Sequence, residues 1–239
     1  MTQVENSETT GSYKSLYRLG AAAALMVVML TVAEIVGHSI HPPPTTVSDW
    51  FKLFQSNVVI GLLDFWGLEV PMYAMFVLVF LALYVVLRET SQGSMAIALS
   101  FVLLGAGIFF ATNNPFTMLS LSNQHAAATT DAQRAAFLAA GEAVLANTGQ
   151  RGIGGFNVGL FLVSAAGLLV SLVMLRSNAF SKSTAYVGIL AYVLSLADYL
   201  RQALAQSVIV ALLVILSGAL LLVIFHVLVG RRLYQLGRP

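Results

Sequence analysis

The stretch VVIGLLDFWGLEVPMYAMFVLVFLALYVVL, residues 58–87, decides the fold. Asp64 and Glu69 are its only charged residues, and between Val70 and Leu87 there is none. A hydrocarbon core about 30 Å thick takes about 20 helical residues, so this segment is long enough to cross it. Arg88 and the polar turn RETSQGS close the segment, and a second apolar stretch begins at once. Reading outward with a window of about 19 residues gives six such segments in all. They cover residues 16–40, 58–87, 94–113, 155–175, 184–205 and 208–230.

Composition points the same way. The chain is 58% hydrophobic and 9% charged, whereas soluble domains carry roughly a quarter charged residues. Its mean hydropathy is +0.85. One aqueous core could not bury so much apolar surface and still leave a polar exterior, so the natural solvent is lipid. The formal net charge is +2 with basic residues scattered along the chain, which argues against nucleic acid as a partner. Cysteine is absent from the sequence, which excludes disulfides, thiolate catalysis and Cys-ligated metal centres.

The expected fold is therefore all-α: an integral membrane bundle of about six transmembrane helices with an extra amphipathic helical cap on the outer side. Residues 1–15 read as a disordered cytoplasmic tail, rich in Ser, Thr and Glu. Residues 16–232 form the membrane domain, and 233–239 a short cytoplasmic tail. The first apolar segment lacks a small-x-small cleavage pattern before HSIHPPP and reads as an uncleaved helix. With the N-terminus inside, Lys14, Arg18, Arg88, Arg176, Lys182, Arg231, Arg232 and Arg238 face the cytoplasm. Lys52, Arg134, Arg151 and Arg201 then lie outside. That asymmetry follows the positive-inside rule and places both termini in the cytoplasm of a plasma membrane protein. The short inner turns RETSQGS and RSNAFSKS predict two antiparallel hairpins.

The cap occupies about 113–150. Thr130 and Gln133 make a capping box for the helix DAQRAAFLAAGEAVLAN, which sets Phe137, Gly141, Val144 and Leu145 on one face. The segment TTVSDWFKLFQSN is also amphipathic, and its Trp50, Phe51, Leu53 and Phe54 suit the membrane interface.

Measured along the helices, polar groups gather at one level of the outer leaflet. Glu34 lies about 24 Å from Arg18, and Asp198 reaches a similar depth with Arg201 one turn further out. Glu69 falls just within the outer boundary and Asp64 just beyond it. Asn113 and Asn114 end the third segment and Asn157 begins the fourth. Asp64 and Glu69 are about 140° apart on an ideal helix, but Pro71 frees the Gly67 carbonyl and predicts a bend. The inner half reads as nearly dry, with scattered Ser and Tyr and an interfacial His226 at the cytoplasmic end of the last span. A pump or channel needs polar groups along its whole route, so this pattern disfavours proton-coupled transport.

Glu34, Glu69, Asn114, Asn157, Asp198 and Arg201 are the candidate lining of a polar pocket. A carboxylate as deep as Glu34 needs a partner or a proton. Arg201, shared with Asp198, would make it a structural pair; the alternative makes Glu34 part of a binding or catalytic site. Glu34, His38 and Glu69 are the weak candidates for a metal, because Glu34 and His38 sit one helical turn apart. His41 precedes three prolines, however, and the set matches no metal signature. His125 reads as solvated. Gly155 and Gly159 form a small-xxx-small pair suited to close helix packing. No phosphate loop or nucleophile elbow occurs, and the sequence assigns no cofactor.

PPPTTVSDWFKLFQSNVVIGLLD, ATNNPFTMLSLSNQHAAATTDAQRAAFLAAGEAVLA, STAYVGILA and VGRRL together resemble a bacterial family of multipass membrane proteins, domain of unknown function 4386. The likeness runs from about Tyr17 to Gly237, and residues 113–146 are its most specific part. It implies a bacterial-type plasma membrane protein of six or so helices, and supplies no substrate, cofactor or catalytic residue.

The leading functional expectation is non-catalytic. The pocket would bind an amphipathic small molecule or a membrane lipid at the outer leaflet, or the protein would dock as a subunit in a membrane complex. The rival is an intramembrane enzyme, in one form metal-dependent, acting on a lipid-like substrate with Glu34 or Glu69 as general base.

Overall fold

The computed structural model describes residues 13–148, 157–204 and 208–238. Among them the chain is helical throughout, with no strand. Helix α1 is Lys14–Ile40, α2 Val47–Ser56 and α3 Val58–Leu62, followed by a π-helical turn at Leu63–Gly67. Then come α4, Glu69–Thr112, α5, Pro115–Ala127, α6, Asp131–Thr148, α7, Val158–Arg176, α8, Lys182–Leu204, and α9, Val208–Leu236. Among the described residues four stretches are long and apolar enough to cross a membrane: Lys14–Ile40, Val58–Ala127, Val158–Arg176 and Leu216–Leu236. Helix α8 is not among them, so length and apolarity by themselves do not reach the six crossings expected.

Helix α4 is two antiparallel legs. A straight helix of its 44 residues would run about 66 Å at 1.5 Å per residue. Instead Ser91, in the turn RETSQGS, leaves the helical region with φ −161° and ψ 89°. Tyr73 and Phe109, equally far to either side of Ser91, stack with ring centroids 3.9 Å apart. The hairpin expected at this turn is present.

Burial along α1 shows what surrounds the bundle. Its buried residues are Gly20, Ala21, Ala23, Ala24 and Val27, while Leu25, Met26, Met29, Val32, Ile35 and Val36 are exposed. Small residues inside and large apolar ones outside reverse the order of a soluble protein. Lipid solvates the large side chains, and the small ones let backbones approach.

The helices close into a ring in which α1 packs on α4, α4 on α7, α7 on α8, α8 on α9, and α9 back on α1. Contacts set the registers. A Cβ at Gly20 would lie 2.5 Å from that of Ala82, and Thr31 Oγ1 is 3.6 Å from Met72 Sδ, so α1 runs antiparallel to the first leg of α4. At the second leg, a Cβ on Gly105 or on Gly159 would lie 2.7 Å from the other's carbonyl oxygen. Gly159 thus does the close packing expected of it, with Gly105 as partner; Gly155 lies outside the described residues. At the end of the bundle where α1 begins, Arg18 Nε donates to the Gly237 carbonyl at 2.7 Å and Arg232 Nε to that of Ala179 at 2.6 Å, which ties α1 to α9 and α9 to the α7–α8 turn.

A second core forms a cap at one end of the bundle. Val47, Trp50, Phe51, Phe54, Phe65, Met118 and Leu145 are all buried there together. The expectation that Trp50, Phe51 and Phe54 lie at the membrane interface is corrected: they fill the cap's own core, with Trp50 edge-on to Phe65 at 5.0 Å. Their amphipathic face was covered by α5 and α6, which bring Met118 and Leu145 over it. Thr130 and Gln133 do make the capping box, Gln133 N donating to Thr130 Oγ1 at 3.2 Å and Thr130 N to Gln133 Oε1 at 3.3 Å.

Candidate functional site

The inward face of α1 continues outward through Val27, Thr31, Glu34 and His38, at helical spacing. Because α1 and the first leg of α4 are antiparallel, the pairing that sets Thr31 beside Met72 sets Glu34 beside Glu69 one turn further out. The Glu34 and Glu69 carboxyl groups are near enough to act on each other. Glu69 is buried, with 6% of its surface exposed; Glu34 is half-buried.

Asp64 joins them through the π-helical turn. Where the sequence led us to expect a bend, just upstream of Pro71, the chain makes the π-helical turn Leu63–Gly67. A π-turn repeats at i to i+5 rather than i to i+4, which moves Asp64 toward the side of Glu69, and its charge acts on Glu69 directly. Gly67 permits the turn: a Cβ there would collide with the Leu62 carbonyl oxygen. Phe65, on the same turn, is fully buried in the cap core, so the cap anchors the backbone that carries Asp64. His38 and His41, at the end of α1, lie within electrostatic reach of Asp64.

The other candidates are dispersed. Asn114 is exposed and caps α5, its Oδ1 accepting from Phe116 N at 3.0 Å. Asn157 is buried and caps α7, its Oδ1 accepting from Leu160 N at 2.9 Å, while its Nδ2 has no protein partner. Asp198 is buried near the outer end of α8. The side chain of Arg201, and with it the Glu34–Arg201 pair, lies outside the described residues. Among the described residues no group of three or more His, Asp or Glu is placed to hold a metal ion, so Glu34, His38 and Glu69 do not come together as a metal site.

Two histidines differ from expectation. His125 is half-buried, with its ring 5.2 Å from that of Phe51. His226 is 2% exposed, its Nδ1 2.8 Å from the Leu222 carbonyl. It sits about 16 Å along α9 from Gly237 and about 9 Å from Arg232, within Leu216–Leu236, a stretch long and apolar enough to cross a membrane. The last apolar segment read from the sequence ends at residue 230, whereas α9 continues past the arginines to Leu236.

On the cap, the Lys52 ammonium and then the Thr46 hydroxyl hydrogen-bond Asp49 and hold its carboxyl below the usual carboxylate range.

Comparison with curated proteins and with solved structures gave no match. The family model for Domain of unknown function (DUF4386) covers residues 19–230, nearly the whole helical bundle with its cap, and the chain belongs to that family.

Proposed function

We propose that the protein is a six-crossing plasma membrane protein, both termini cytoplasmic, that binds an amphipathic cation at the outer end of its bundle. The observation that carries this is the juxtaposed Glu34 and Glu69 carboxyl groups, with Asp64 beside them, at the end of the bundle that bears the cap. Three acids in a partly desolvated site favour a positive headgroup, and the large apolar side chains on the outside of α1 favour an alkyl chain lying alongside. A binding role needs only this pair, whereas hydrolysis would need a placed nucleophile as well.

The test is native mass spectrometry of the full chain with dodecyltrimethylammonium, and with dodecyl sulfate for comparison. The expected result is one bound cation and no bound sulfate ester, with Glu69→Gln binding the cation at least about tenfold more weakly. A full charge about 4 Å away is worth about 4 kcal/mol, roughly a thousandfold in affinity, at an effective dielectric near 20. Equal binding by Glu69→Gln and the unaltered protein would refute the reading.

A further inference from the structure

Phe109 is where both legs of α4 and helix α7 meet. Its ring stacks on that of Tyr73 with centroids 3.9 Å apart, and a Cβ on Gly159 would lie 3.1 Å from the Phe109 Cβ. Three polar side chains follow about one turn toward the cap. Glu69 is four residues before Tyr73, and Asn113 is four after Phe109. In an antiparallel hairpin the two therefore stand level, each on the face that carries the stacked ring. Both are buried, Asn113 with 3% of its surface exposed. Asn157 comes from the start of α7, two residues from Gly159, and its Oδ1 would lie 3.3 Å from a Cβ there. It is 9% exposed.

Backbone partners fix which way each amide points. Asn113 Nδ2 donates to the Phe109 carbonyl at 3.2 Å and to Thr112 Oγ1 at 2.9 Å, and a flipped amide would set oxygen against that carbonyl. Asn157 Oδ1 accepts from Leu160 N at 2.9 Å, and a flipped amide would set two donors together. What each amide leaves over is therefore settled. Asn113 Oδ1 is a spare acceptor and Asn157 Nδ2 a spare donor, both buried and neither with a partner among the described residues. They do not bond each other. Buried polar atoms are normally paired, so two of opposite kind beside one carboxyl group call for a molecule that donates to one and accepts from the other.

We infer that Asn113 and Asn157 make this site selective for an alkylammonium that keeps an N–H and carries a neighbouring acceptor oxygen, an inference that rests on the cation-binding reading above. The N–H donates to Asn113 Oδ1, and the oxygen accepts from Asn157 Nδ2. Glu34 and Glu69 hold the charge, which any alkylammonium supplies; the amides read what accompanies it. A quaternary head presents only methyl groups where Asn113 Oδ1 needs a donor. A plain hydrocarbon chain leaves Asn157 Nδ2 unpaired. Selectivity then comes from the cost of leaving a buried amide atom without a partner.

The full chain, titrated by native mass spectrometry with probes of nearly equal length, tests this. The probes are dodecyloxyethylammonium, its trimethylated counterpart, which lacks only the N–H groups, and pentadecylammonium, which has a methylene in place of the ether oxygen. Dodecyloxyethylammonium should bind at least about tenfold more tightly than its trimethylated counterpart and about fivefold more tightly than pentadecylammonium, the ratios given by one charged and one neutral hydrogen bond. Asn157→Asp keeps an oxygen to cap α7 and loses the N–H, so in that variant dodecyloxyethylammonium and pentadecylammonium should bind alike. Should the variant not fold, the comparison of probes on the unaltered protein decides. Equal binding of all the probes, each still weakened by Glu69→Gln, would overturn the inference and leave the acid site standing. So would a preference for the ether oxygen that Asn157→Asp retains. A chain that binds none of the probes overturns both readings.

Discussion

Replacing Gly159 by Ala tests the packing that sets the bundle's register. Its Cβ would lie 2.7 Å from the Gly105 carbonyl oxygen, 3.1 Å from Phe109 Cβ and 3.3 Å from Asn157 Oδ1. None of these is the far end of a flexible side chain: two are on or next to the facing backbone, and the third is the cap of α7 itself. Relief requires α7 and the second leg of α4 to move apart by about 0.5 Å, and overpacking of this kind costs typically about 1–3 kcal/mol. Phe109 moves with that leg, which disturbs its 3.9 Å stack on Tyr73, one turn inward of Glu69. Gly107→Ala is the control, because a Cβ there meets nothing within 4 Å and Ala is favoured over Gly in a helix by about 1 kcal/mol. The assay is reversible unfolding by dodecyl sulfate in mixed micelles, followed by circular dichroism. Gly159→Ala should unfold at a lower mole fraction of dodecyl sulfate, and Gly107→Ala at an equal or higher one. If the two variants unfold together, the close α4–α7 contact does not hold the bundle and the register built on it fails.

Other predictions concern the cap. Trp50→Ala removes the largest fully buried side chain of the second core and should cost the cap about 3–5 kcal/mol. Limited proteolysis should then cut within 47–148 while the bundle stays intact, and resistance equal to the unaltered protein would contradict this. Thr130→Ala removes the capping box and should cost α6 about 1 kcal/mol, read as faster amide hydrogen exchange at its first turn. The Asp49 carboxyl is held below its ordinary value of 3.8. Its contribution to the start of α2 is therefore complete above about pH 4 and is lost as acidification passes the lowered value. Amide exchange at the start of α2, compared with Asp49→Asn, should show that loss only in the unaltered protein.

The sequence by itself determined the solvent and the secondary structure. Runs such as 70–87 without a charge admit only helices in lipid, because no water is there to satisfy an exposed backbone. RETSQGS was legible as a turn between antiparallel legs, and Thr130 with Gln133 as a helix start, because both signals are local. Glu34 and Glu69 were legible as deep acids by counting residues along each helix. What counting could not supply was which helices are neighbours. Asn114 and Asn157 share a level with the acids on that ruler, yet both turn out to be helix caps. Tertiary structure alone decided that Glu34 meets Glu69, since this follows from the antiparallel register set at Gly20 and Ala82. It decided that Trp50 and Phe54 face α5 and α6 rather than lipid, for an apolar face reads the same against either. It also placed His226 within a stretch that runs on past the arginines, because the extent of one helix depends on where its neighbours end, and Arg18 clasps α9 at Gly237, well past the arginines that seemed to mark the edge.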